Sequence, residues 1–406
     1  MKNDMRPQLR FPGFADAWVE KKLGEIILRG GSEGTPDTSK EDYYKGTIPF
    51  LNISDISNSY GHIYDTEKHI TELALQNSSA WIVPKGAISL AMYASVGKAA
   101  ILETDVATSQ AFYNMIFENN STRDVVFQIL KKMEAKNGWY YFISRGTQPN
   151  LNAGKVKNLL IFLPTNIEEQ HLIGTFFSSL DRLITLNKQK LSSMKEYKKS
   201  MLQRMFPKAG NLPELRFPGF SDEWVEKKLG DLGKIVTGST PPTSNKKYYS
   251  DNGIPWVTPT DISSETISDT PRKLSDKGAC VAHIVAANTI LCTCIASIGK
   301  NTLLAVEGSF NQQINGLTPY ENNNAYFLLT ESNFWSNKMK QTSAAGMIQI
   351  VNKTEFSELI TMIPSYEEQS LIGSFFSNLD RLITLQSKRL AQMELYKKAL
   401  LLRMFC

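Results

Sequence analysis

The sequence predicts an α+β protein: two related globular domains separated by two long antiparallel coiled-coil helices, with pseudo-two-fold symmetry. Three observations carry this. The chain repeats itself with a period of about half its length. Each repeat ends in a long heptad-patterned segment. The stretches between mix short apolar alternations with Gly, Pro and Asn turns.

Two blocks establish the repeat. Leu9–Gly24 reads LRFPGFADAWVEKKLG and Leu215–Gly230 reads LRFPGFSDEWVEKKLG, identical at 14 of 16 positions. Glu168–Phe206 and Glu367–Phe405 share 25 of 39 positions, including LIG, LDRLITL and RMF. Between these blocks the similarity is sparse but ordered. Thr35-Pro36 matches Thr240-Pro241, Tyr43-Tyr44 matches Tyr248-Tyr249, and Ile48-Pro49-Phe50 matches Ile254-Pro255-Trp256. Ala94-Ser-Val-Gly-Lys98 matches Ala296-Ser-Ile-Gly-Lys300, and Gln110 matches Gln312. So long a period is not a solenoid. The unit duplicated is a variable globular domain followed by a near-constant segment, which divides the chain into residues 1–164, 165–206, 207–364 and 365–406.

Each constant segment opens on a helix-start signal. Asn166 with Glu169, and Ser365 with Glu368, fit a capping box. One seam position of the first helix then holds Ile173, Leu180, Asn187, Met194 and Met201, and the other Phe177, Ile184, Leu191, Lys198 and Met205. The second helix repeats this with Ile372, Leu379, Gln386, Met393 and Leu400, then Phe376, Ile383, Leu390, Lys397 and Met404. Phe176, Leu183 and Tyr197, with Phe375, Leu382 and Tyr396, are expected to widen the stripe. Such helices run about 60 Å, and Pro207, Gly210 and Pro213 end the first. Asn187 and Gln386 each lie near a helix midpoint, and midpoints meet in an antiparallel pair. They are expected to face one another and fix the register, the alternative being that they point sideways to water. Lys188, Lys190, Lys195, Lys198, Lys199 and Arg204 suit the negative end of the helix dipole and read as a solvated face, the alternative being phosphate contact.

In the variable domains, Ile48–Ile53, Ala80–Val83, Ala87–Met92 and Phe112–Phe117 read as strands and Val125–Ala135 as an amphipathic helix. Counterparts are Ile254–Val257, Thr289–Ile295 and Tyr326–Lys340. The apolar stretch Val281–Ile298 is interrupted by His283, Asn288 and Thr289 and reads as paired buried strands rather than a membrane span.

Composition narrows the function classes. The 406 residues are 42% hydrophobic and 21% charged, with a net charge of +5 that is compatible with a nucleic-acid partner without establishing one. Cys280, Cys292, Cys294 and Cys406 form no C-x-x-C pair, so neither a disulfide scaffold nor a zinc site is expected and the cytoplasm is the natural compartment. Met1 is followed by polar and basic residues, so no secretory signal is expected. No P-loop, dinucleotide fingerprint or Asn/Asp-Pro-Pro-aromatic tetrapeptide occurs, and His62, His69, His171 and His283 have no metal spacing. Asp16…Glu20-x-Lys22, repeated as Asp222…Glu226-x-Lys228, reads as surface pairs rather than a nuclease metal site. The chain reads as a binder with no catalytic or metal-ligating residues and no cofactor of its own.

The order of these motifs, duplicated, resembles the specificity subunits of type I restriction–modification systems over essentially the whole chain. The carrying residues are Gly146-Thr-Gln-Pro-Asn-Leu-Asn152, Leu163-Pro, Glu168-Glu-Gln170 and Leu180-Asp-Arg-Leu-Ile. In the second half they are Thr240-Pro-Pro, Ile254-Pro-Trp-Val-Thr-Pro-Thr-Asp-Ile262, Ala296-Ser-Ile-Gly-Lys300 and Pro364…Glu367-Glu-Gln369. The second domain departs at Met347-Ile-Gln-Ile350, where the first has Thr147-Gln-Pro-Asn150. The resemblance implies a non-catalytic DNA-binding subunit. Two target-recognition domains would each read half of a split double-stranded site, and the helices would set the gap and dock two methyltransferase subunits. Those partners would bring S-adenosylmethionine, and motor-endonuclease subunits ATP and Mg²⁺; no membrane is involved. Two other classes fit a two-domain coiled-coil chain, a non-DNA-binding adaptor and a catalytic nuclease or methyltransferase. Sequence-dependent methylation by the assembled subunits separates the first, and activity of the isolated chain the second.

Duplication also sorts candidate contacts. Domains that read different half-sites cannot share base readers, so shared residues serve folding or phosphate contact and divergent ones specificity. Lys98 and Lys300 follow a Gly turn, where an amide and an ammonium would meet one phosphate; a plain exposed turn lysine is the other reading. Tyr44 and Tyr249 either pack in the core or line the groove. Arg145, Gln148 and Asn150, opposed by Ala345, Ile348 and Ile350, are candidate base-edge readers. Thr35, Ser39, Lys40, Thr240, Asn245 and Lys246 sit in polar loops that serve the same end or are simply solvated.

Overall fold

The computed structural model describes residues 6–143, 150–208, 210–344 and 350–406. Contacts divide the chain into two compact units, Met1–Lys190 with Lys388–Cys406, and Leu191–Ser387. Each unit therefore takes in one globular domain and one end of each long helix.

In the first unit a five-stranded sheet has the order Arg29–Gly31, Phe112–Ile116, Ile88–Ala91, Ala99–Leu102, His62–Ile63. All its pairs are antiparallel except the last. A four-stranded sheet follows the order Lys68–Ile70, Ile48–Phe50, Val106–Thr108, Trp81–Val83. Val19–Lys22 pairs antiparallel with Leu160–Leu163. Ile88–Ala91 and Ala99–Leu102 are buried throughout, including Ser89, whose hydroxyl donates to Asn114 Oδ1 at 2.6 Å. Leu51, Ile63, Val83, Leu102 and Phe112 share one core. A larger core joins the helix Asn120–Ala135 to Trp18, Ile173, Phe177 and Phe405.

The second unit repeats the five-stranded sheet, while its four-stranded sheet keeps three strands in common and adds its fourth at the opposite edge. Its five-stranded sheet runs Gly233–Thr237, Ile314–Pro319, Thr289–Thr293, Asn301–Leu304, Thr266–Ile267. Its four-stranded sheet runs Tyr249–Ser250, Lys273–Leu274, Ile254–Val257, Ser309–Phe310. Val225–Lys228 pairs with Ile360–Ile363, and the helix is Ala325–Ala344.

Two expected strands change. Ile48–Ile53 stops at Phe50, because Asn52 caps a helix over Ile53–Asn58 and Asp55 accepts from its backbone N–H at 2.8 Å. Val281–Ile298 holds a single strand, Thr289–Thr293, whose partners lie at Asn301–Leu304 and Ile314–Pro319.

The long helices are Ile167–Arg204 and Tyr366–Met404. Within each unit their ends run antiparallel. In the first, Phe177 meets Phe405 at 5.7 Å, Asp181 pairs with Lys397, and Lys188 pairs with Glu394 at 2.6 Å. In the second, Phe376 meets Phe206 at 5.9 Å and Asp380 pairs with Lys198 at 2.6 Å. The seam positions Ile173, Phe177, Ile184, Met201 and Met205 are buried, as are Ile372, Phe376, Leu379 and Met404. Leu183 and Leu382 instead stand outside the seam, about half exposed. No helix among the described residues is long and apolar enough to cross a membrane.

Candidate nucleic-acid interface

Each domain builds one loop cradle from the same residues. In the first, the Tyr44 hydroxyl donates to the carbonyl of Pro36 at 2.8 Å, while its ring packs edge-on to Phe50 at 6.0 Å. Thr35 Oγ1 donates to Gln110 Oε1 at 2.8 Å. In the second, the Tyr249 hydroxyl donates to Pro241 at 2.6 Å, the ring meets Trp256 at 5.9 Å, and Thr240 bonds to Gln312. Burial raises both tyrosine pKa values. Each hydroxyl thus ties its Thr-Pro loop to the domain, while both tyrosines stay half-buried and Tyr249 lines an open pocket.

The loop side chains divide. Ser39 donates its N–H and hydroxyl to Asp37 at 3.0 and 2.7 Å, closing a local turn and holding the Asp37 carboxyl below its ordinary range. Lys40 lies over the Tyr43 ring, its ammonium 3.2 Å from the hydroxyl. Asn245 accepts from the N–H of Lys247 at 3.2 Å, and the Lys246 side chain is exposed. Two cations that the sequence reading passed over stand at the same cradle. The Lys68 ammonium lies 6.0 Å from the Tyr44 ring centre, and the Arg272 guanidinium lies 5.6 Å from Tyr249 and 5.8 Å from Trp256. Their signal was present as a repeated Asp-Thr-x-Lys/Arg, Asp65–Lys68 and Asp269–Arg272.

The Gly-Lys hairpins do not offer amides to a ligand. The N–H of Lys98 donates to Ser95 O at 3.1 Å and that of Lys300 to Thr293 Oγ1 at 2.9 Å. The glycine amides close the turns onto Ala91 and Thr293. Only the ammonium groups are left for a phosphate, because the turns, with Ser95 (φ 54°), Gly97 (φ 88°), Ala296 (φ 63°) and Gly299 (φ 79°), consume their own donors. Lys300 stands on an open groove of about 720 Å³ with Lys195 and Lys199. Asn150 and Ile350 come to matched places beside the hairpins, since Leu151 N–H donates to Met92 and Val351 N–H to Cys294, both at 2.9 Å. Arg145, Gln148, Ala345 and Ile348 lie outside the described residues.

The joints between domain and helix are also duplicated, and they take up the glutamate side chains of the expected capping boxes, of which the Ser365 hydroxyl keeps its half by accepting from Glu368 N–H at 3.4 Å. Arg10 grips Glu169 through two bonds of 2.6 and 2.8 Å, and Arg216 grips Glu368 with the same distances. Both glutamates are buried, and the paired carboxylates raise both arginine pKa values. The carboxylates thus face the repeated N-terminal strap instead of closing back on their own caps, although Asn166 still accepts from Glu168 N–H at 2.8 Å. Gly174 and Gly373 of the repeated LIG let the domain helices approach. A Cβ on Gly174 would lie 2.8 Å from Asp124 Cβ, and one on Gly373 3.0 Å from Phe327 N.

Three of the residues read as a solvated basic face are engaged. Lys188 pairs with Glu394 and lies 4.7 Å from the Tyr60 ring centre, Arg204 pairs with Glu214, and Lys198 sits between Glu265 and Asp380, 2.6 Å from each. Burial pulls Lys198 down, but its two carboxylates leave its pKa raised. Its twin Lys397, more deeply buried and with Lys131 nearby, is lowered by that burial despite Asp181 as partner. Asn187 bonds back to Leu183 O at 2.7 Å, and Gln386 is buried. Glu20, Lys22, Glu226 and Lys228 lie on exposed strands, with Lys228 paired to Glu358 at 2.5 Å.

A family model described as the type I restriction modification DNA specificity domain matches residues 15–196 and again 221–395. The chain belongs to this family. Membership makes it a specificity subunit, the non-catalytic component of such a system. This specificity subunit is 31% identical over 252 residues to the type I restriction enzyme MjaIX specificity subunit of Methanocaldococcus jannaschii, covering 59% of this chain and 57% of that one. It is 28% identical over 180 residues to the HindI specificity subunit of Haemophilus influenzae, covering 42% and 39%. These matches therefore span about half or less of the two relatives' own lengths. A putative MjaX specificity subunit, also from M. jannaschii, matches at 22% over 402 residues, 95% of this chain and 92% of that one. In fold, the specificity subunit resembles the crystal structure of a type I restriction–modification S subunit from M. genitalium, with a TM-score of 0.69 at 13% identity over 99% of both chains.

Proposed function

We propose that this chain reads a bipartite duplex-DNA target, half with each domain, and directs adenine methylation or cleavage by subunits docked on its helices. Residues 1–164 and 207–364 are the recognition domains, and 165–206 and 365–406 the spacers that set the gap. The partners are two methyltransferase subunits, carrying S-adenosylmethionine, and motor-endonuclease subunits, carrying ATP and Mg²⁺.

One observation carries this reading. The same cradle, Thr-Pro loop over tyrosine and aromatic, is built twice, while the side chains just before the tyrosines differ: Lys40, Glu41 and Asp42 against Asn245, Lys246 and Lys247. A shared frame with divergent loops suits two heads reading different sequences. Asn150 opposite Ile350, with Arg145 and Gln148, supplies further divergence for base readout. The ammonium groups of Lys98 and Lys300 suit phosphates. The helices carry matched apolar side chains outside the seam. Leu172, Leu183 and Leu186, and their counterparts Leu371, Leu382 and Leu385, are 42–54% exposed, the surface expected for two equivalent partners. Register is assigned to the Lys198–Asp380 and Lys397–Asp181 pairs together with Asn187 and Gln386.

The test is to express the chain with its methyltransferase subunits in cells lacking adenine methylation and to map methylated adenines. One split sequence with a fixed gap is expected. Methylation that ignores the presence of the chain, or an undivided site, would refute the reading.

A further inference from the structure

We propose that Lys68 and Arg272 are matched clamps for the DNA backbone, one per recognition domain, in which the cradle tyrosine holds a cation ready for a phosphate. The proposal rests on the DNA-recognition reading above and adds to it the place where the duplex is gripped in a sequence-independent way.

The two residues are equivalent by geometry. Each stands two positions after a buried threonine. The hydroxyl of Thr66 donates to the carbonyl of Lys68 at 2.7 Å and accepts the N–H of Phe50 at 3.0 Å. Thr270 does the same for Arg272 and Trp256, at 2.7 and 3.1 Å. The threonine thus ties the backbone beneath the cation to the strand that carries the cradle aromatic. Glu67, next to Lys68, forms no ion pair with it and meets Ser54 Oγ at 3.5 Å, and the aspartates that open the two repeats are already engaged. Asp65 accepts from Thr66 N–H and pairs with His69, and Asp269 accepts from Thr270 N–H and pairs with Lys273. Among the described residues neither Lys68 nor Arg272 has an ion pair, and both are exposed. The aromatic faces orient the cations without neutralising them.

Arg272 also lines an open pocket of about 450 Å³ together with Thr243, Lys246, Tyr249, Ser250 and Asp251. Hydroxyls and two uncompensated cations suit a phosphate oxygen, and Asp251 is the one acidic side chain besides them on that wall. Phosphate rather than a base edge follows from the duplication. Heads that read different sequences share what does not depend on sequence, and a cation over a tyrosine is shared while the loops above it are not.

The test uses the full chain assembled with its methyltransferase subunits, a duplex carrying its mapped target and an unrelated duplex, with binding measured across a salt series. Lys68→Gln and Arg272→Gln are each expected to weaken binding to both duplexes in the same proportion. Each should lower the slope of log affinity against log salt by about 0.9, and the double variant by twice that. Arg272→Lys should keep the slope, and the mapped target should not change. An unaltered slope and affinity in the double variant, with wild type binding normally, would overturn the clamp and leave DNA reading standing. A changed recognised base with Arg272→Gln would overturn it in favour of base readout. Failure of the wild-type assembly to bind either duplex would fell the underlying reading instead.

Discussion

Where the first domain buries two hydrocarbons, the second buries a carboxyl and a hydroxyl. The domain helices start at matching caps, Asn119 accepting from Thr122 N–H and Asn324 from Phe327 N–H. Counted from these, Val126 corresponds to Glu331. In the strands that precede the long helices, Ile161 corresponds to Thr361. Val126 and Ile161 belong to one apolar core. Glu331 and Thr361 are as deeply placed, 5% and 3% exposed, with the Thr361 hydroxyl 2.5 Å from Glu331 Oε1. Burial pushes the Glu331 carboxyl up to about 8 against the opposing pull of Thr361. Caps, strand register and close helix approach therefore specify this skeleton, and the core tolerates a polar pair in which the Thr361 hydroxyl satisfies one carboxyl oxygen while Glu331 Oε2 is buried without a hydrogen-bond partner.

The strap joints offer the strongest way to break the equivalence of the two halves. Glu169→Ala and Glu368→Ala should each cost about 3–5 kcal/mol, because each leaves a largely buried arginine without its carboxylate. Denaturant unfolding of the full chain measures both. Losses near 1 kcal/mol, or confined to one half, would show the joints to be unequal. The polar core pair comes next. Thr361→Val should destabilise by about 1–3 kcal/mol by stranding a buried carboxyl, whereas Glu331→Val with Thr361→Ile should restore or raise stability. The folded pKa near 8 lies above the ordinary 4.5, so the folded chain binds the extra proton between these values. Its contribution is complete below about pH 4.5 and is lost as pH rises toward 8, at up to about 1.4 kcal/mol per pH unit. Melting of the wild type and the double variant from pH 5 to 8 should diverge accordingly; parallel curves would discard the assignment. The smallest effect on stability is expected outside the seam. Leu183→Lys and Leu382→Lys should shift unfolding by no more than about 0.5 kcal/mol, yet weaken co-purification with methyltransferase subunits. A large loss of stability would mean that these leucines are packed.

The seam was legible because heptad spacing is local: Ile173, Phe177 and Ile184, with Ile372 and Phe376 as twins of the first two, are buried as the pattern implies. The roles of Glu169 and Lys198 were not. A glutamate three residues after Asn166 satisfies the capping rule, but a buried arginine 159 residues away competes for it and wins. Lys198 interrupts an apolar seam and looks solvated until Asp380 is brought beside it. The cradle tyrosines stood out as repeats, whereas the cations above them differ in identity, Lys68 against Arg272, and escaped a comparison by identity.

The nearly invariant straps, Leu9–Gly24 and Leu215–Gly230, bind nearly invariant helix ends through the same arginine and glutamate. Whatever lies between strap and helix therefore arrives with its fastening already made. A recombination event that replaced only that interior would deliver a new globular domain onto an old chassis without remaking how the pieces join.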